Sequence, residues 1–256
     1  MGIVNATPDS FSDGGRYFAP DAAVRHALEL RMAGAAILDI GGESTRPGSD
    51  AVDTTEQIRR VVPVIEAVVA GEKHRAGTFS SNPLLISVDT ADAGVARAAI
   101  GAGANIVNDI TAVSGDPAML PLLLERNVGV CVMHMKGVPR TMQDAPHYED
   151  VVAEIDAYLE ERLNFLVAAG IDRMRIAIDP GIGFGKTTEH NRLLIENIDR
   201  FFRHGCTVLV GHSRKRFLGD LYPQFDRDRA TVEVSRILSA AGVHVLRVHD
   251  VAANRC

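Results

Sequence analysis

The sequence has no tryptophan and only three cysteines in 256 residues. Cys131, Cys206 and Cys256 are odd in number, far apart and without a C-x-x-C pair, which argues against a disulfide framework or a cysteine-bound zinc site. A reducing, cytoplasmic setting is therefore expected. Long apolar runs are also missing: none approaches the roughly 20 residues of a membrane span, and the opening residues show no basic run leading into an apolar stretch, so no secretory leader is expected. There is no long basic block, and the formal net charge is -6, so neither nucleic acid nor an anionic membrane is expected as a partner. Recognition of phosphate by a few placed cations stays open.

What the sequence does contain is repetition of one grammar. Short apolar runs alternate with amphipathic stretches, and the 23 glycines suit a fold with many tight strand-to-helix turns. The strand candidates are Gly2 to Asn5, Ala35 to Gly41, Leu84 to Thr90, Asn105 to Ile110, Val128 to His134, Met174 to Gly181, Thr207 to Ser213 and His244 to Asp250. Helical spacing predicts helices at Pro20 to Gly34, from Asp53 to about Gly71, Ala91 to Gly101, Ala118 to Arg126, Glu149 to Ala169, His190 to Phe202 and Ala230 to Ala241. Gly71 to Pro83 reads as a polar loop on the face away from any site, so Lys73, His74 and Arg75 are set aside. Near-continuous apolar strands covered by helices imply a parallel sheet buried on both faces. A doubly wound open sheet is the rival, but eight regular units in about 250 residues favour an α/β (β/α)8 TIM barrel, residues 1–256 forming one domain. The first strand is short and no helix follows the last one, so part of the first strand and the last helix are expected to be lacking.

The functional signal lies at the strand ends: Asn5, Asp39, Asp89, Asn108, His134, Asp179, Ser213 and His249. Any one of these could simply cap a helix or tie a loop. Together, at the converging ends of buried strands, they read as a ring of hydrogen-bonding groups around a pocket. Two segments look suited to phosphate. GGESTRPG offers glycines, Thr45 and Arg46, while RVHD places Arg247 and His249 two apart and so on one side of a strand. DPGIGFGK imitates a P-loop, but the first glycine of that motif would have to stand at 180, where the chain has Pro180. Its Phe184 could offer a flat face to an aromatic ligand or merely pack the loop. A long polar loop follows Asn5 and carries Phe11, which has no apolar neighbour there. Asp9 and Asp13 could chelate a cation, although turn formation is the commoner use. His26, His190, His204 and His212 show no partner in the sequence and read as structural or solvated.

The strings MGIVNATPDSFSDGG, DIGGESTRPG, ISVDT, NIVNDI, VMHMKGVPRTMQ, DPGIGFGK, GHSRKRFLG and RVHDV run in order over essentially the whole chain. In this they resemble the dihydropteroate synthase family. The resemblance implies a pterin-binding TIM barrel of folate biosynthesis that joins 7,8-dihydropterin-6-ylmethyl diphosphate to 4-aminobenzoate with loss of diphosphate, by a dissociative route. It implies a pterin site of Asp89, Asn108, Asp179 and Lys215. Asn5, Arg46, Arg247 and His249 would hold the diphosphate, Asn5 through Mg²⁺. Phe11, Thr45, Pro47, Phe184, Lys215 and Arg216 would line the 4-aminobenzoate site, Arg216 standing where some relatives carry a serine. Asp13 would stabilise the cationic intermediate beside Arg46, Lys215, Arg247 and His249. The family further implies a homodimer and competition by sulfonamides for the aminobenzoate site. A pterin-dependent methyltransferase and a catalytically silent pterin-binding paralogue are the alternatives. The former has no need of GGESTRPG or of cations facing a diphosphate.

Overall fold

The computed structural model describes residues 1–7, 20–44, 51–75, 83–138 and 141–255. Eight parallel strands follow one another in space in chain order: β1 (Gly2–Asn5), β2 (Ile37–Gly41), β3 (Leu85–Asp89), β4 (Ile106–Asp109), β5 (Gly129–Met133), β6 (Ile176–Asp179), β7 (Thr207–Val210) and β8 (Val245–Leu246). The sheet returns on itself through a parallel bridge between Gly2 and Val248, with the Ile3 amide donating to the Val248 carbonyl at 3.0 Å. The helices are α1 (Pro20–Met32), α2 (Thr54–Arg75), α3 (Ala93–Ala102), α4 (Met119–Glu125), α5 (Val151–Ala168), α6 (Thr188–Glu196), α7 (Phe217–Leu221) and α8 (Arg227–Ala240). This is the α/β TIM-barrel architecture expected from the alternation. Among the described residues, no helix is long and apolar enough to cross a membrane.

Strand alternation divides the interior into two environments. Leu38, Ile40, Ile86, Val88, Val107, Val130, Val132, Ile176, Ile178, Val208 and Val210 are buried in the core shared with the helices. The alternate positions carry Asp39, Ser87, Asp89, Asn108, Cys131 and Asp179, a polar set on the barrel's inner side. Helix starts are fixed by carboxylates: Asp92 accepts from Gly94 and Val95, Asp150 from Val152 and Ala153, and Asp226 from Arg229.

Several sequence expectations shift in detail. The helix from Thr54 runs on to Arg75, so the expected loop from Gly71 starts later; a lone glycine weakens a helix by about 1 kcal/mol but does not stop it. The helix expected to reach Phe202 ends at Glu196 and gives way to 3-10 turns over Ile198–His204. β8 holds only two residues, because the chain after Leu246 pairs with β1 by a single bridge. The short helix α7 was not expected. His190, His204 and His212 have partners after all: His190 completes the capping box of α6 with Thr187, His204 meets Asp156 at 2.8 Å, and His212 meets Ser235 at 2.8 Å.

Candidate active site at the barrel mouth

Strand register brings the polar residues together. Gly41 is paired with Asp89, Asp89 with Asn108, Asn108 with Cys131 and Met133 with Asp179, so the ends of β2 to β6 form one continuous arc. Arg247, just past β8, reaches across the interior to this arc. Its Nε donates to Asp39 Oδ2 at 2.6 Å and its Nη2 to Asp89 Oδ2 at 2.7 Å. Asn108 Nδ2 donates to the same Asp39 oxygen at 3.1 Å. Burial alone would lower the Arg247 pKa, but Asp39 and Asp89 outweigh it, and the guanidinium is held above its ordinary value. At Asp89 burial is the stronger influence and pushes the pKa up to about 7 against the pull of Arg247.

The second half of the arc is built on the loop after β6. Asp179 Oδ1 accepts from the Gly181 amide at 2.7 Å. Gly181 has φ +69, and a Cβ there would lie 1.9 Å from the His134 carbonyl oxygen, so only glycine fits this turn. Gly183, at φ +82, likewise leaves room for Lys215, whose Cδ would be 2.7 Å from an added Cβ. Lys215 donates to the Ile182 carbonyl, and its ammonium sits 4.3 Å from the centre of the Phe184 ring. Burial lowers its pKa to about 7, with Asp179 opposing the shift. Burial also raises the pKa of Asp179, against the nearby Lys215 and the Gly181 amide.

Lys186 shows where the P-loop imitation ends. It is 3% exposed and turned inward, donating to the Phe184 carbonyl at 2.9 Å and meeting His134 Nδ1 at 3.0 Å. Burial, then Lys186, depresses the His134 pKa to about 3, so the ring is neutral and can accept from the Lys186 amino group, whose own pKa burial lowers well below the ordinary lysine value. This lysine braces the Phe184 loop from behind.

His249 contacts Ser213 through its amide at 3.2 Å and its Nδ1 at 3.0 Å. Arg214, between Ser213 and Lys215, has a left-handed backbone (φ 58) and is tied to Asp228 at 2.5 Å. Arg216 is exposed; its carbonyl accepts from the Gly219 amide at 3.0 Å, while its guanidinium meets no partner among the described residues. Asn5 stands at the end of β1, its carboxamide without a hydrogen-bond partner among the described residues. Phe11, Asp13, Thr45, Arg46 and Pro47 lie outside the described residues.

Of the expected residues, Asp89, Asn108, Asp179, Lys215 and Arg247 are thus gathered in one arc, with Phe184 under Lys215. Sequence reading marked Asp39 as a strand-end polar residue but gave it no role. In the structure it is fully buried and joins Arg247 to Asn108. Its Oδ1 and the Ser87 hydroxyl, paired across β2 and β3, are buried without partners among the described residues. Buried polar atoms are rarely left unpaired, and these two remain available to a donor-bearing ligand or to water. The available signal was a carboxylate within an otherwise apolar strand.

The family model described as "Pterin binding enzyme" matches residues 1–249. The dihydropteroate synthase of Escherichia coli (strain K12) is 43% identical over 253 residues, covering 98% of this chain and 86% of that protein. The chain belongs to the dihydropteroate synthase family. Among solved structures, Xanthomonas albilineans dihydropteroate synthase with 4-aminobenzoic acid superposes with a TM-score of 0.88 at 46% identity, covering 99% of this chain and 88% of that one. The same organism's dihydropteroate synthase in complex with 7,8-dihydropteroate gives 0.84 at 42% identity, with the same coverage. Dihydropteroate synthase membership agrees with the arc described above, in which acceptors and donors of both charge signs line one side of a barrel mouth.

Proposed function

We propose that the barrel mouth joins 7,8-dihydropterin-6-ylmethyl diphosphate to 4-aminobenzoate, giving 7,8-dihydropteroate and diphosphate. The observation that carries this reading is the convergence of Asp89, Asn108, Asp179, Lys215 and Arg247 on one arc. The aminopyrimidinone edge of a pterin presents N–H donors, which Asp179 and Asn108 accept, while Asp89 lies beside them against Arg247. Lys215 donates to the ring nitrogen and carbonyl at the other edge, and also borders Phe184, the wall assigned to 4-aminobenzoate with Phe11, Thr45, Pro47 and Arg216.

The reaction is dissociative. The bond from the pterin methylene carbon to the diphosphate oxygen breaks first, and its electron pair leaves with the diphosphate. Arg46, Arg247 and His249 neutralise that charge, and Asp13 stabilises the pterin cation. The amine of 4-aminobenzoate then forms the new C–N bond and loses a proton. Exclusion of water from the mouth protects the cation from capture.

The donor set fits Mg²⁺. Asn5 presents a neutral oxygen with no other described partner, and the Gly2–Val248 bridge sets its strand beside the segment carrying Arg247 and His249. Mg²⁺ commonly takes few protein ligands and leans on substrate phosphates, and bound there it would neutralise the leaving diphosphate. We assign the whole of residues 1–256 to one domain acting in the cytoplasm as a homodimer, the last on the family resemblance; sedimentation velocity reads the oligomeric state. Incubating the protein with both substrates and Mg²⁺ and assaying dihydropteroate tests the function. Bound pterin without product would instead identify a silent pterin binder.

A further inference from the structure

Immediately after Asn108, the backbone does something the sequence gives no warning of. Ala112 and Val113 both take left-handed conformations, with φ 54 and 61. Alanine tolerates this poorly, and a β-branched residue there is a genuine outlier that persists only if its surroundings hold it. The holding groups are visible. The buried Asp109 carboxylate accepts from the Thr111 amide at 2.7 Å, the Thr111 hydroxyl at 2.7 Å and the Val113 amide at 3.0 Å. From outside, Arg162 of α5 donates through Nε (3.0 Å) and Nη2 (2.7 Å) to the Ala112 carbonyl and through Nη2 to the Val113 carbonyl at 3.3 Å. Its guanidinium is itself seated over the Phe165 ring at 4.6 Å. No glycine or asparagine occupies the turn, so nothing intrinsic to residues 112 and 113 favours it.

We infer that Arg162 is a positioning residue for the pterin site. By gripping the two carbonyls of the strained turn it keeps Asp109 seated, and with it the end of β4, where Asn108 meets Asp39. Without that grip, Ala112 and Val113 relax toward negative φ and the carboxamide of Asn108 loses its aim. The inference rests on the proposed function, since it concerns the pterin-facing role of Asn108.

Steady-state kinetics on purified variants decides it. Arg162→Ala should raise KM for the pterin diphosphate on the order of tenfold, as release of one strained backbone position allows, with kcat and KM for 4-aminobenzoate within about twofold. Adding Ala112→Gly and Val113→Gly should bring the pterin KM back to within roughly threefold of wild type, because glycine holds positive φ without a clamp. Loss of both substrates' affinities in proportion to a lowered Tm, an unmoved pterin KM in Arg162→Ala, or failure of the glycines to restore it would each overturn the inference. Should Arg162→Ala not fold, Arg162→Lys, which keeps one donor, must show an intermediate rise; no rise overturns the inference equally. A wild type that makes no dihydropteroate strikes the proposed function and this inference with it, whereas an active wild type beside an unmoved variant strikes Arg162 alone.

Discussion

Arg247 and Asp39 meet inside the barrel at 2.6 Å, 208 residues apart in the chain, with Asp39 wholly buried. Because Asp39 also accepts from Asn108, its removal leaves a guanidinium half-compensated and an amide donor unpaired. Asp39→Ala should destabilise the fold by about 3 kcal/mol, the lower end for a broken buried pair because Asp89 still faces Arg247. Asp39→Asn, which keeps an oxygen acceptor, should cost less. Urea unfolding measures both; equal midpoints for wild type and Asp39→Ala would show the pair to be energetically idle.

Lys215 makes stability and turnover depend on pH in opposite senses. In the folded chain it releases its proton at about 7, against 10.5 for the ordinary side chain. Between those values the unfolded state binds more protons, so stability rises with pH across that window and levels off above it. Lys215→Met should reduce the rise in urea midpoint, leaving the part contributed by Lys186, whose pKa burial also lowers. In the proposed reaction Lys215 meets the pterin as a charged donor, so kcat/KM for the pterin diphosphate should fall as pH climbs past about 7, and Lys215→Arg should extend the plateau upward. A flat profile in the wild type would refute the role of the ammonium.

The same residues show what could be read in advance. The arc from Asp89 to Asp179 was legible because buried parallel strands leave few sites for polar side chains, and those sites must converge. Partners were not legible: that Arg247 would choose Asp39 and Asp89 depends on a reach across the barrel interior, which no local spacing encodes. Nor were the conformations of Ala112, Val113 and Arg214, whose residue types favour ordinary φ and whose support comes from Asp109, Arg162 and Asp228 elsewhere in the chain. Lys186 stood in a string already rejected as a P-loop, and its bracing task emerges only from its burial against His134.

The two substrates should separate genetically. Lys215→Ala removes the donor proposed for the pterin edge and so should abolish pterin binding, whereas Thr45→Ala should mainly weaken 4-aminobenzoate. Direct titration of each ligand distinguishes them; equal loss of both ligands in both variants would contradict the division of the site.

Asp156, on α5, provides a control remote from catalysis. It is 2% exposed and bound by Arg200 at 3.0 Å, Arg203 at 2.8 Å and His204 at 2.8 Å. Burial pushes its pKa up, but the bonds from Arg203, Arg200 and His204 prevail and hold it below the ordinary 3.8. Its contribution is therefore present above about 3.8 and lost as pH falls through the lower folded value. Asp156→Ala should cost about 2 kcal/mol at neutral pH, less than the usual penalty for a broken buried pair because the exposed arginines regain water. Kinetic constants should be unmoved; a shift in KM for either substrate would mean that this cluster reaches the mouth.

Asn5 gives the last prediction. A neutral carboxamide cannot hold Mg²⁺ alone, and no group of three or more metal-ligating side chains lies among the described residues, so the ion is expected to bind chiefly with the diphosphate. Chelation with EDTA should then stop turnover while leaving the Tm of the substrate-free protein unchanged. Asn5→Ala should raise the Mg²⁺ concentration for half-maximal rate roughly tenfold, the equivalent of about 1.4 kcal/mol for one lost oxygen ligand. Asn5→Asp, which adds charge at the same place, should lower that concentration while slowing diphosphate release. If Asn5→Ala changes the rate equally at all Mg²⁺ concentrations, the carboxamide serves the substrate directly and not the ion.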